Sequence, residues 1–321
     1  MSLSTRGLFT RFAVLVAIVA ALHALVWALM GATTLRVDPD RWISFLGICA
    51  IMAAAGFIAL SILRMELLGS ILLLLALGYA VGRAAIMLTY VVYDLGRDIP
   101  PWDAVAARAD AALGFHWPDM LAWFNANPAI SDLLAACHQA FLPQPPIVLI
   151  VMALAARVRE AQVALLAGVV GLLITLALVL FMPVYGAYSF FGLTAAQHPN
   201  IELVSAALTM PERALARTGV GIDIDPRGLM DVITLPDFQA LLAVVCGWAW
   251  WFVPYLRWPG MTINAGMLAA TPLHGSHYLV DVIVGVALAV VSIVVASRLL
   301  ARFDTRRHAI RYRECDWVPA R

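Results

Sequence analysis

Seven stretches of this chain are apolar enough and long enough to cross a lipid bilayer, and that feature limits the fold more than any other. A hydrocarbon core of about 30 Å needs roughly 20 apolar residues in a helix. Inside it, every backbone N–H and C=O must be satisfied within the spanning element. The runs lie at about 9–31, 43–63, 67–93, 131–156, 161–183, 238–256 and 278–300, with a shorter eighth, PGMTINAGMLAATPLH, at about 259–274. They are apolar all round, so periodicity does not separate a lipid face from a buried one. Composition agrees, with 63% hydrophobic and 13% charged residues against about 45–50% and about 25% in soluble domains. The chain reads as an all-α, polytopic membrane bundle.

Charge and cysteine usage remove several chemistries. A formal net charge of +1 offers no basic face for nucleic acid. The basic residues are arginines without a single lysine, which excludes Schiff-base and lysine-nucleophile catalysis. Cys49, Cys137, Cys246 and Cys315 stand far apart, unlike a disulfide framework or a zinc site, and nothing in the sequence implies a metal or organic cofactor.

The arginines orient the runs. Arg6 and Arg11 precede the first, Arg64 follows the second, Arg157 and Arg159 the fourth and Arg257 the sixth, while Arg298, Arg302, Arg306, Arg307, Arg311 and Arg313 trail the last. If positive loops stay inside, both termini are cytoplasmic and the span count is even, which gives eight. The first run exceeds a signal-peptide core of about 7–15 residues and no A-x-A site follows, so it reads as an anchor. The expected parts are N-terminal transmembrane helices at 1–93, an interfacial segment at 94–130, a transmembrane core at 131–300 and a basic cytoplasmic tail at 301–321. In the interfacial segment, Trp102, Leu113, Phe115, Trp117, Leu121, Trp123 and Phe124 alternate with acids, as short helices at headgroup level do. A second far-side segment, about 184–237, carries Tyr185, Tyr188, His198, Arg213, Arg217, Asp223, Asp225 and Arg227.

The densest ionisable cluster is TPLHGSHYLVDVIVG, residues 271–285, and ionisable groups at a span are functional hypotheses by default. On a helix starting near His277, Asp281 lies one turn on and shares its face. A carboxylate there fixes the imidazole tautomer and leaves the other nitrogen free as a nucleophile or base. The helix start beside it presents N–H groups to an anion such as phosphate. Spacing alone leaves equally open a structural His–Asp pair that caps the span.

HGSHYLVDVIVG (274–285) resembles the third signature of the type-2 phosphatidic acid phosphatase and vanadium haloperoxidase superfamily, in the branch that includes inositol phosphorylceramide synthases. GLMDVITLPDFQALLAVV (228–245) is similar to the second signature of that branch, FMPVYGAY (181–188) to its L-F-P-A-x-G segment and RADAALGFHW (108–117) to its D-x-x-L-G-F-D-W stretch. The resemblance implies that His277 is the phosphoryl-accepting nucleophile and that Asp281 orients it, with Gly275 and Tyr278 as matching flanks. It also implies a phosphatase or phosphotransferase acting on a membrane lipid phosphate, with water, an inositol or another alcohol as acceptor. The site would face the periplasm or outside of a plasma or bacterial inner membrane.

Two departures bear on that expectation. Where the branch has P-S-F-H, this chain has Pro236, Asp237, Phe238 and Gln239, so the general-acid histidine is replaced by an amide with no proton to give at neutral pH. A positioned acid is typically worth about 10²–10⁴ in rate. Asp237, as a desolvated carboxylic acid, or His274 are the available substitutes. Otherwise the leaving group needs no acid, or the chain is a non-catalytic lipid-phosphate binder or accessory protein. The superfamily's K-x6-R-P and S-R arginines are also missing, Ala270 and Thr271 standing where S-R would be. Of the far-side arginines Arg97, Arg108, Arg213, Arg217 and Arg227, the segment ARTG (216–219) resembles an R-x-G of the branch. Arg217 first and Arg227 second are therefore the expected phosphate ligands, the alternative being solvated arginines that answer Asp223 or Asp225. Gln239 and Tyr278 complete the expected substrate contacts.

Gln144 in FLPQPP matches a position of that branch at the start of the fourth span, and the resemblance implies that it lines the cavity; His23 and His138 are expected to be core or interfacial histidines. Most tryptophans read as belt residues. A carrier ranks third, since no paired broken-helix repeat is visible.

Overall fold

The computed structural model describes residues 3–37, 39–193, 197–201, 223–224 and 237–303. Among these the chain is helical: α1 (Leu3–Met30), α2 (Pro39–Ser61), α3 (Glu66–Leu95), α4 (Asp103–Ala112), α5 (Trp117–Ala126), α6 (Pro128–Gln139), α7 (Gln144–Leu154), α8 (Val158–Phe181), α9 (Ala187–Phe190), α10 (Phe238–Trp250), α11 (Arg257–Gly275) and α12 (Leu279–Ala301). A two-residue parallel pairing, β1 (Arg36–Val37) with β2 (Asp223–Ile224), is the exception.

Among the described residues, five helices are long and apolar enough to cross a membrane: α1, α2, α3, α8 and α12. The expected run at 131–156 is instead two helices, α6 and α7, bent by 60° at the break. Pro143, Pro145 and Pro146 account for it, because proline has no N–H to give and clashes with the preceding turn, yet suits a helix's first positions. The run at 238–256 stops as a helix at Trp250, and the one at 259–274 opens earlier, at Arg257.

Helices α3 and α8 form the centre. The α1 and α2 helices pack on α3, α7 bridges α3 and α8, and α10 and α12 close on the other side of α8. Within lipid, close packing rather than water exclusion holds helices together, and α2 meets α3 where Gly56 and Gly69 leave no room for a Cβ. A second, smaller core lies at one end, built from Trp117, Leu121, Ala187, Tyr188, Leu273 and Tyr278. Trp117, expected at the membrane interface, is buried there at 1% exposure. This small core supports the loop that carries His277.

Candidate active site

The path to His277 begins with a sharp reversal. Helix α11 ends at Gly275, and Ser276 takes a left-handed conformation with φ 60°, which costs a non-glycine residue about 1–2 kcal/mol. The turn is over-determined: Ser276 O accepts from Ala187 N–H at 3.0 Å and Ser276 Oγ from Tyr188 N–H at 3.0 Å. Gly186, at φ 104°, approaches so closely that a Cβ there would lie 2.9 Å from Ser276 O. Strain of this kind persists where the surroundings enforce it, and it clusters at functional sites.

His277 therefore lies ahead of α12, which starts at Leu279, and the expectation that His277 and Asp281 share a helical face is corrected on that point. Tyr278 is the N-cap, and Asp281 Oδ2 turns back to accept from its N–H at 3.1 Å. Asp281 Oδ1 has no hydrogen-bond partner among the described residues. A carboxylate that does lie within ion-pair distance of the ring is Asp237, whose Oδ1 is 3.8 Å from His277 Nε2.

Asp237 is itself an N-cap. It is fully buried, and its Oδ1 accepts from Gln239 N–H at 2.8 Å and Ala240 N–H at 3.0 Å, while Oδ2 has no partner among the described residues. It stands just ahead of the apolar α10. Burial there pushes its carboxyl up to about 7, against the downward pull of the two N–H groups. An acid that holds its proton near neutral pH, beside an imidazole nitrogen, can serve as a proton donor.

The remaining expected residues divide. Gln239 is buried and presents its amide to His138, Nε2 to Nε2 at 3.4 Å. Gly275 lies under the ring: a Cβ there would collide with His277 and come within 3.3 Å of Gln239 Oε1. His274 is buried and donates from Nε2 to Ser131 O at 3.1 Å, with its ring 6.0 Å from that of His138. His138, expected as a bland core histidine, thus belongs to the same buried group. Gln144 is buried at the head of α7, its Oε1 without a partner among the described residues. Arg217 and Arg227 lie outside the described residues.

Sequence reasoning missed the supports of the loop. Asp110 accepts from Leu279 N–H at 2.9 Å and Val280 N–H at 2.8 Å, capping α12 from another helix. Burial raises the Asp110 carboxyl above its ordinary range, and those two N–H groups draw it back. Asp103 accepts from Tyr278 Oη at 3.0 Å and from the N–H groups of Tyr185 and Gly186. Trp117 donates from Nε1 to His277 O at 3.2 Å. Four residues in succession, from Ser276 to Leu279, are thereby fixed by the 103–117 and 183–188 segments. The one available signal was the pair of acids Asp103 and Asp110, placed two turns apart on the short α4.

Among the described residues, no group of three or more His, Cys, Asp or Glu is arranged to hold a metal ion. No curated protein and no solved structure matches the chain. A protein-family comparison matches residues 106–295, well over half of the sequence, to the PAP2 superfamily. The matched region opens on α4 and closes in α12, so it takes in His277, Asp237 and most of the elements that hold them. On that match the chain is a member of the PAP2 superfamily.

Proposed function

We propose that this protein is an integral membrane phosphatase or phosphotransferase in which His277 takes the phosphoryl group of a lipid-linked phosphate. Membership of the PAP2 superfamily supports a phosphatase-type function on lipid phosphates. The observation that carries the finer reading is the 3.8 Å approach of Asp237 Oδ1 to His277 Nε2, both side chains being buried. In the first step the neutral imidazole nitrogen attacks phosphorus, the P–O bond to the lipid breaks, and protonated Asp237 gives its proton to the leaving oxygen. In the second, water or an alcohol attacks the phosphohistidine, loses its proton to the Asp237 carboxylate and releases the imidazole. Asp237 thus fills the place of the histidine that Gln239 replaces. His274 is the weaker substitute, its Nε2 proton being engaged by Ser131 O. Asp281 acts by holding the start of α12, and Arg217 then Arg227 are the proposed phosphate ligands. We place the site in the inositolphosphotransferase-like branch, with eight spans, both termini cytoplasmic and His277 facing outward.

The test is phosphate release from short-chain phosphatidate in detergent. Turnover by the wild type and its loss in a folded His277→Ala variant are expected, and undiminished turnover in that variant would overturn the assignment. A second reading, a lipid-phosphate binder without turnover, draws on the Gln239 substitution. Activity that appears only after Asp237→Ser with Gln239→His would favour the binder; robust activity without it favours the enzyme.

A further inference from the structure

Arg83 lies inside α3, a helix that precedes the family-matched region, and no step above uses it. Its Nη2 donates to Tyr79 Oη at 3.0 Å, and the guanidinium sits over the rings of Tyr79 and Phe45 at 5.3 and 5.6 Å. Among the described residues, the buried Nη1 has no hydrogen-bond partner and no carboxylate lies within ion-pair distance of Arg83. A charged residue in a span is costly and normally faces a partner. Arg83 is one of the residues that line a cavity of about 510 Å³, whose other lining is almost wholly apolar and includes Gln239.

Size and shape of the cavity match a lipid. Its volume falls in the range of about 300–1,000 Å³ common for ligand sites. From Leu75 to Thr89 the lining of α3 extends roughly 21 Å at 1.5 Å per residue, about two-thirds of the hydrocarbon thickness. Ile48 and Leu142 both line the cavity and are half exposed on the outside of the bundle, so it opens sideways where lipid would be. Beside Arg83 runs a chain of rings, Trp27 to Trp42 at 6.0 Å, Trp42 to Phe45 at 5.8 Å and Phe45 to Tyr79 at 4.9 Å.

We infer that this cavity binds an anionic, phosphate-bearing lipid that enters between α2 and α7, with its headgroup paired to Arg83 and its chain against Leu149, Leu242 and Val245. The inference rests on the lipid-phosphate reading only in naming phosphate as the anion. It makes α2 and α3 part of lipid selection, ahead of the reacting groups that Gln239 adjoins.

Native mass spectrometry of the full chain in detergent reads this as binding, without turnover. The probes are the non-hydrolysable phosphonate analogue of dioleoyl phosphatidate and uncharged dioleoylglycerol. The wild type is expected to prefer the phosphonate by about tenfold or more, the scale of one charge-assisted hydrogen bond. Arg83→Met should abolish that preference and keep diacylglycerol binding. Gly82→Leu should weaken both lipids, because a side chain at Gly82 enters open space that belongs to the cavity, and losing a mid-helix glycine favours folding. Equal binding of the two lipids by the wild type, a preference that survives Arg83→Met, or undiminished binding by Gly82→Leu would each overturn the inference. A protein that binds through Arg83 yet never turns phosphatidate over overturns the phosphatase reading alone.

Discussion

Asp237→Asn separates the chemical role of Asp237 from its structural one. Asparagine caps helices about as well as aspartate, and its Oδ1 can keep the bonds that Asp237 Oδ1 makes at 2.8 and 3.0 Å to the N–H groups of Gln239 and Ala240. The stability change is therefore expected to stay within about 1 kcal/mol. Loss of a positioned acid costs about 10²–10⁴ in rate, or roughly 2.7–5.5 kcal/mol of barrier. The chemical effect thus exceeds the structural one several-fold, and a thermal melt beside a rate measurement resolves the two. Dependence on pH adds a sign. Because burial pushes Asp237 up to about 7, the donor form is present below that value and is lost as pH rises through it. Wild-type phosphate release should then fall about tenfold per pH unit on the alkaline side. The variant should be slow throughout and lack that alkaline limb. A variant with full activity, or with an unchanged alkaline limb, would refute the role given to Asp237.

Three further substitutions probe the support of His277. Asp110→Ala leaves the Leu279 and Val280 N–H groups without their acceptor, so a stability loss of about 3 kcal/mol or more should appear in melts together with reduced kcat. Trp117→Phe removes the donor to His277 O at a cost of about 1 kcal/mol, and kcat should fall more than KM changes; a pure KM effect would argue against positioning. Gly275→Ala drives a methyl into the His277 ring, so turnover should drop while the protein remains folded, and normal kinetics would contradict the packing described.

How far the sequence discloses this arrangement varies with the range of the interaction. The runs at 9–31, 43–63, 67–93, 161–183 and 278–300 correspond to full-length helices, because a run of apolar residues is a local property. The run at 131–156 misleads because its average hydropathy hides what three prolines near its centre do to hydrogen bonding. His277 and Asp281 are visible as a pair, but their relation is not: the left-handed Ser276 is held by Ala187 and Tyr188, far away in the chain. Asp237 is legible as a candidate acid, whereas its closeness to the ring depends on α10 and α12 packing together. Asp103, Asp110 and Trp117 act across some 80 to 175 positions of sequence, which no spacing rule reaches. Arg83 is concealed for the opposite reason, as a lone charge averaged away within an apolar run.

The most direct test of His277 as the phosphoryl acceptor is to trap the phosphoenzyme. The full-length protein is mixed with a labelled short-chain phosphatidate, quenched at alkaline pH to preserve phosphohistidine, digested and mapped by mass spectrometry. Label on the peptide containing His277, absent from His277→Ala and accumulating when the acceptor step is slowed, is the expected result. Turnover with no label at His277, or with label on another residue, would contradict it.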